Sequence, residues 1–185
     1  GSFRYDTQSG FSAKDIQALA LGQTVRGKAA AIGRPDHPAT RIEAYGGVTL
    51  KALFAWLGME RSVPAAGELP YQLRLDIGGK ASQLQIDSSL LGVALELPAP
   101  FGKRAELRRD TSLRMSLDDG PRRYTVKHGD LAALNFLAPD GDWLRGGGEL
   151  VLGGGPANAR NGAGLYIRGR LSELDLNAWQ ATLNQ

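Results

Sequence analysis

Cysteine is absent from the 185 residues, which excludes disulfides, thiolate nucleophiles and sulfur-ligated zinc. Histidine is scarce: His37 and His128 are the two, and neither stands in a His-x-x-x-His or Glu-x-x-His spacing. His37 falls in a turn between Asp36 and Pro38 and His128 precedes Gly129, so both read as ordinary surface histidines. Neither charge sign dominates, with 22 basic against 19 acidic residues and a net +3. That suits a soluble surface better than a dedicated nucleic-acid binder, and an aromatic content of 7% offers no stacking platform. No apolar run approaches the ~18 residues of a membrane span, and the N-terminus carries no signal-peptide pattern. A Gly-x-Ser-x-Gly elbow is missing. The runs Gly146-Gly147-Gly148 and Gly153-Gly154-Gly155 lack the Gly-Lys-Ser/Thr ending of a phosphate loop and read as turns and bulges. The carboxylate pairs Asp118-Asp119 and Asp140 with Asp142 sit beside Gly and Pro, where Asp bonds its own turn. No catalytic residue, metal ligand or cofactor site is therefore assigned.

Glycine is abundant, 25 of 185, about twice the usual ~7%, and this favours many turns. The length fits one domain. Gly1-Ser2 reads as a cloning scar, and the strand-like opening at Phe3 and the helix-like end mark the chain as a piece of a longer protein. Residues 14–21 and 24–32 predict a hairpin of small residues around Gly22-Gln23, and residues 39–45 a further strand. The period then changes. Leu50, Leu53, Phe54 and Leu57 recur at helical spacing, with Thr49 as N-cap, Val48 and Leu53 as a staple, and Gly58 as the stop.

The cleanest strand signal comes next. Leu69, Tyr71, Leu73, Leu75 and Ile77 alternate with Pro70, Gln72, Arg74 and Asp76. Gly78-Gly79 turns this strand into its neighbour, where Leu84 and Ile86 alternate with Gln83, Gln85 and Asp87. Leu91, Val93, Leu95 and Leu97 continue the rhythm until Pro98 and Pro100 force a rigid corner. Strands are also expected within 105–117, 123–126, 131–137, 148–152 and 162–171, and a second capped helix begins at Asp175, with Leu174 and Trp179 as its staple. The passage from Val48 to Leu53 and that from Leu174 to Trp179 share one pattern of apolar, cap, Leu, polar, Ala, apolar. This points to a recurring unit of strands plus one helix.

The pattern Ser88-x-Leu90-x-Gly92, four residues, Leu97-Pro98-x-Pro100-x-Gly102-Lys103 resembles a motif of the YhdP family, long AsmA-like proteins of the Gram-negative envelope. A second match runs from Gly164 through Tyr166, Arg168 and Asp175 to Trp179. The resemblance implies a mainly β fold, a curved antiparallel sheet or groove with two short helices, cut from a repetitive, elongated β-groove protein. Residues 3–185 would form one β-rich domain, with a partial next repeat starting near 162. It further implies a segment of a lipid conduit, moving phospholipid between inner and outer membrane and maintaining the outer-membrane barrier. The location would be periplasmic, with an inner-membrane anchor and the membrane contacts outside this stretch. Its partners would be phospholipid acyl chains and the adjacent repeats, with no nucleic acid.

Under that resemblance Leu69, Tyr71, Leu73, Leu75, Ile77, Leu84, Ile86, Val93, Leu95 and Leu97 line the groove. Each buried methylene of an acyl chain would gain about 0.8 kcal/mol there. Basic residues crowd residues 103–127, and Arg104, Arg108 and Arg109 are the candidates for lipid headgroups. From the residues alone, the apolar faces equally suit an ordinary core between sheet and helices, and the basic stretch a solvated sheet face. Two alternatives stay open: a structural or partner-binding periplasmic spacer, and, remotely, an envelope hydrolase using the histidines.

Overall fold

The computed structural model describes residues 2–6, 10–34, 36–58 and 64–183. Among these, twelve strands and two helices follow in the order β1 (Ser2–Asp6), β2 (Gly10–Ala20), β3 (Gln23–Ala31), β4 (Ala39–Thr49), α1 (Leu50–Trp56), β5 (Ala65–Gly78), β6 (Gln83–Ser88), β7 (Val93–Leu95), β8 (Thr111–Ser116), β9 (Arg122–His128), β10 (Ala132–Ala138), β11 (Gly147–Leu152), β12 (Gly164–Gly169) and α2 (Leu176–Leu183). The expected mainly β fold stands. Eleven strands form one curved open sheet in chain order, with β7 set aside on the first residues of β5.

Every pair is antiparallel except the last, β11 with β12. The turns explain the hairpins: Leu21 and Gly22 both have positive φ, as a two-residue hairpin loop with the twist of its strands requires. In β2 one extra residue slips in between Ala13 and Ile16, where Asp15 has φ 54°. That bulge lets Ala13 and Ile16 share a face although an odd number separates them.

Residues paired directly across a sheet share its face, so the register sorts the side chains into rows. One row reads Ala44, Leu73, Ile86, Leu113, Val126, Leu134, Leu150 and Ile167 across eight strands. Two residues further along each strand, Ile42, Leu75, Leu84, Met115, Tyr124, Phe136, Gly148 and Leu165 form a second. Between them, on the opposite face, runs Glu43, Arg74, Gln85, Arg114, Thr125, Asn135, Glu149 and Tyr166. The sheet thus has an apolar and a polar face over most of its breadth. On the polar face, Arg41 grips Asp76 through two bonds of 2.7 and 2.8 Å, and Lys28 meets Glu43 at 2.8 Å.

The closed core lies at one end of the strands, where β4 and β6 finish and β5 and β8 begin. Leu50, Leu90 and Val93 are buried there, with Leu53, Phe54, Ala65, Leu69 and Leu95 packed around them. Thr49 Oγ1 accepts from Ala52 N at 3.3 Å, as an N-cap should, and Leu57 and Gly58 close the C-terminal turn. At the same end Asp175 Oδ1 accepts from Ala178 N at 2.9 Å to start α2, whose Trp179 meets Phe101 edge-on at 5.8 Å. Both capped helices therefore leave strands at one end of the sheet.

Candidate functional site

The structure divides the groove candidates into two groups. Leu69, Tyr71, Leu73, Leu75 and Ile77 on β5, with Leu84 and Ile86 on β6, do share one face of the sheet. Val93 and Leu95 do not join them. The expected strand over residues 91–97 shrinks to Val93–Leu95, because Leu90 and Gly92 take positive φ and turn the chain out of the sheet. Val93, 1% exposed, lies in the closed core beneath α1, and Leu95 packs against that core. Leu97 is half-buried in the corner beyond β7.

Of the first group, Leu69 touches the closed core and the rest are not fully buried. Leu73, Leu75, Leu84 and Ile86 are half-buried and Ile77 is 49% exposed. Among the described residues, α1 packs on β4 and β5 and a short turn on β9, but no second sheet or helical layer lies across the two apolar rows. Leu113, Val126, Leu134 and Leu150 carry the same half-buried apolar surface across β8 to β11. These four were not among the groove candidates, although each lies in a strand expected from the sequence, within 105–117, 123–126, 131–137 and 148–152. At strand spacings of ~4.8 Å the eight-strand rows extend about 34 Å, more than twice the ~15 Å hydrocarbon depth of one bilayer leaflet.

The corner that follows β7 is built by its own motif residues. Ser88 Oγ accepts from Leu90 N at 3.0 Å and fixes the turn out of β6. A Cβ on Gly102 would run into the Leu97 carbonyl oxygen, so no larger residue fits. Lys103 is 5% exposed, and its Nζ donates to the carbonyls of Val93 (2.7 Å), Arg104 (2.9 Å) and Leu107 (2.6 Å). Burial, and next the charge of Arg109, pulls the Lys103 pKa below its ordinary value. The Gly-Lys ending is thus a structural clasp.

The three headgroup candidates separate as well. Arg104 and Arg108 are exposed, and Arg108 is already paired with Asp110 at 2.8 Å. Arg109 points inward instead, donating to the Phe101 and Gly102 carbonyls at 2.8 and 3.2 Å, and so ties the corner to β8. A cleft of about 1120 Å³ includes Arg108 and Arg109 in its lining. Its floor is the row Tyr45, Gln72, Asp87, Ser112 and Lys127, which belongs to the polar face. Arg108, Arg109 and Lys127 are balanced there by Asp87, Asp110 and Asp130, so no net positive field awaits an anion.

Neither histidine offers hydrolytic machinery. His37 is exposed beside Asp36. His128, expected at the surface, is half-buried on the apolar side of β9, with Nδ1 2.8 Å from Thr111 Oγ1. Burial, and next Arg109, lowers its pKa and keeps it neutral at pH 7. His37 bridges to Arg34 near the start of β4 and His128 lies at the opposite end of the strands, so the two cannot act together. No cluster of three metal-ligating side chains occurs among the described residues.

One buried charge escaped the sequence reading. Glu149 on β11 is 1% exposed, and it accepts from Asn158 N at 2.7 Å, from Arg168 Nε at 3.1 Å and from Arg160 at 3.2 Å. Arg168 also holds the Pro156 carbonyl at 2.9 Å. These bonds clamp the crossover of residues 153–163 to the polar face, and that crossover makes β12 parallel. The bonds from Arg168 first, then Asn158, lower the Glu149 pKa to about 2. A carboxylate followed at nine to nineteen positions by Asn and two Arg was the available signal.

No curated protein and no solved structure matches the chain. The family model described as YhdP protein matches residues 1–185, the whole of a sequence whose corner motif builds the clasp just described. The chain belongs to the YhdP family, AsmA-like proteins of the Gram-negative envelope.

Proposed function

We propose that the chain is a segment of a lipid conduit in the periplasm, holding phospholipid acyl chains against its apolar face. The observation that carries this reading is the pair of apolar rows which, among the described residues, have no second sheet or helical layer across them and are capped only at Tyr124 and Phe136, by Trp143. Contiguous exposed apolar surface beyond a few hundred Å² marks a binding surface on a soluble protein, and a track that crosses strands suits a long flexible hydrocarbon. Transfer along such a face needs no bond to be made or broken, and the YhdP family is not known as enzymatic. Among the described residues no helix is long and apolar enough to cross a membrane.

The β12–α2 passage, with its Asp175 cap, repeats the β4–α1 passage with its Thr49 cap, and we read it as the start of the next unit. Native mass spectrometry of the chain tests the proposal. Co-purified phospholipid, lost in a folded Leu75→Arg variant, is the expected result. Lipid-free protein under all conditions would favour the spacer.

A further inference from the structure

Over β9 and β10 the apolar track is partly occupied by the protein itself. The Trp143 indole lies on the second apolar row, 4.8 Å from the Phe136 ring at an interplanar angle of 17° and 4.4 Å from that of Tyr124. Trp143 remains 50% exposed, and its neighbour Leu144 is 94% exposed. Among the described residues, the hydrogen bonds of residues 139–145 stay within the turn: Asp142 N to Pro139 O, Leu144 N to Asp142 Oδ1, and Gly146 N to Trp143 O. Asp140 and Gly141 have φ 51° and 78°, a turn that interrupts regular helix at the base of the segment. The segment is thus held to the sheet by aromatic stacking and can lift without breaking a bond to any strand.

Resting on the lipid reading above, we infer that Trp143 is a displaceable occupant of the acyl track, covering Tyr124 and Phe136 when the track is empty and stacking beside a hydrocarbon chain that takes its place. Its indole supplies the apolar cover that lipid supplies when bound, so an empty track exposes less surface to water. Two neighbouring aromatic rings and a Trp in a loop then mark the step at which passage is gated.

The test uses two single-tryptophan forms of the chain. One retains Trp143 (Trp56→Phe with Trp179→Phe); the other retains Trp56 (Trp143→Phe with Trp179→Phe). Each is loaded from vesicles of phosphatidylethanolamine and phosphatidylglycerol with brominated or ordinary acyl chains, then separated from the vesicles, and bound lipid is counted by mass spectrometry. Brominated lipid is expected to quench most of the Trp143 emission and leave Trp56 bright, and Trp143→Ala is expected to load several-fold faster. Bound lipid with Trp143 unquenched, or quenched no more than Trp56, would overturn the inference, as would unchanged or slower loading by the Ala variant. Absence of bound lipid in every form would instead overturn the lipid reading and this inference together. The quenching arm keeps Trp143 intact, so it stands even if the Ala variant misfolds.

Discussion

Two apolar regions of similar composition meet opposite fates in this molecule. At the corner end, Leu50, Leu90 and Val93 are closed over by α1 and the clasp around Lys103. A few residues along the same strands, Leu73, Leu75, Leu84 and Leu113 are only half-buried, and among the described residues no second layer of strands or helices packs across them. The difference teaches that alternation in a strand announces an apolar face but not its cover. What decides between core and open face is the connection at the strand end: a capped helix after β4 and a folded corner after β6, against the short turns that join β5 to β6, β8 to β9 and β9 to β10.

The contrast should be largest on substitution of a charge. Val93→Asp buries a carboxylate with no partner and is expected to cost about 3 kcal/mol or more, read as a lowered urea midpoint. Leu84→Asp on the open face should leave that midpoint nearly in place. Equal destabilisation by both would mean that the open rows are a core after all. Lys103→Met comes next. It leaves three carbonyls without their ammonium donor and is expected to lose about 2 kcal/mol, checked by the same unfolding curves and by loss of amide protection in residues 89–110. Thr49→Ala removes a cap bonded at 3.3 Å in exposed surroundings and should cost about 0.5–1 kcal/mol.

The smallest effect is local and depends on pH. Glu149 has a folded pKa of about 2 against an ordinary 4.5. A depressed carboxylate pKa means that its stabilisation is fully present above about 4.5 and is lost as pH falls toward 2. Hydrogen exchange should therefore accelerate in β12 and residues 153–163 over that window while the corner amides change less. Glu149→Gln should loosen the same segment already at pH 7. Protection in β12 that ignores both changes would refute the clamp.

Much of this fold was legible in the sequence, and for physical reasons. The β5–β6 hairpin followed from unbroken alternation around Gly78-Gly79, and both helix starts from Thr49 and Asp175, because those signals act within a few residues. The corner was legible as a stop, through Pro98 and Pro100. Its inward turn was not, since positive φ at Leu90 leaves the spacing of Leu91, Val93 and Leu95 unchanged. The roles of Lys103 and Arg109 were hidden too, because carbonyl groups have no signature in the side-chain sequence. For the same reason the parallel pairing of β12 was invisible: it depends on Glu149, Arg160 and Arg168 meeting across a crossover. The site was readable as a face on β5 and β6, and its continuation through Val126, Leu134 and Leu150 needed the register.

On the proposed function, one face of this sheet carries lipid and the other does not. Leu84 and Gln85 are adjacent on β6 and face opposite sides, so a photocrosslinker placed at each position in the full-length protein, in intact cells, compares the two faces at one point on the chain. Phospholipid is expected to be captured from position 84 and none from position 85. Equal capture from both, or none from position 84 with the protein folded, would contradict it.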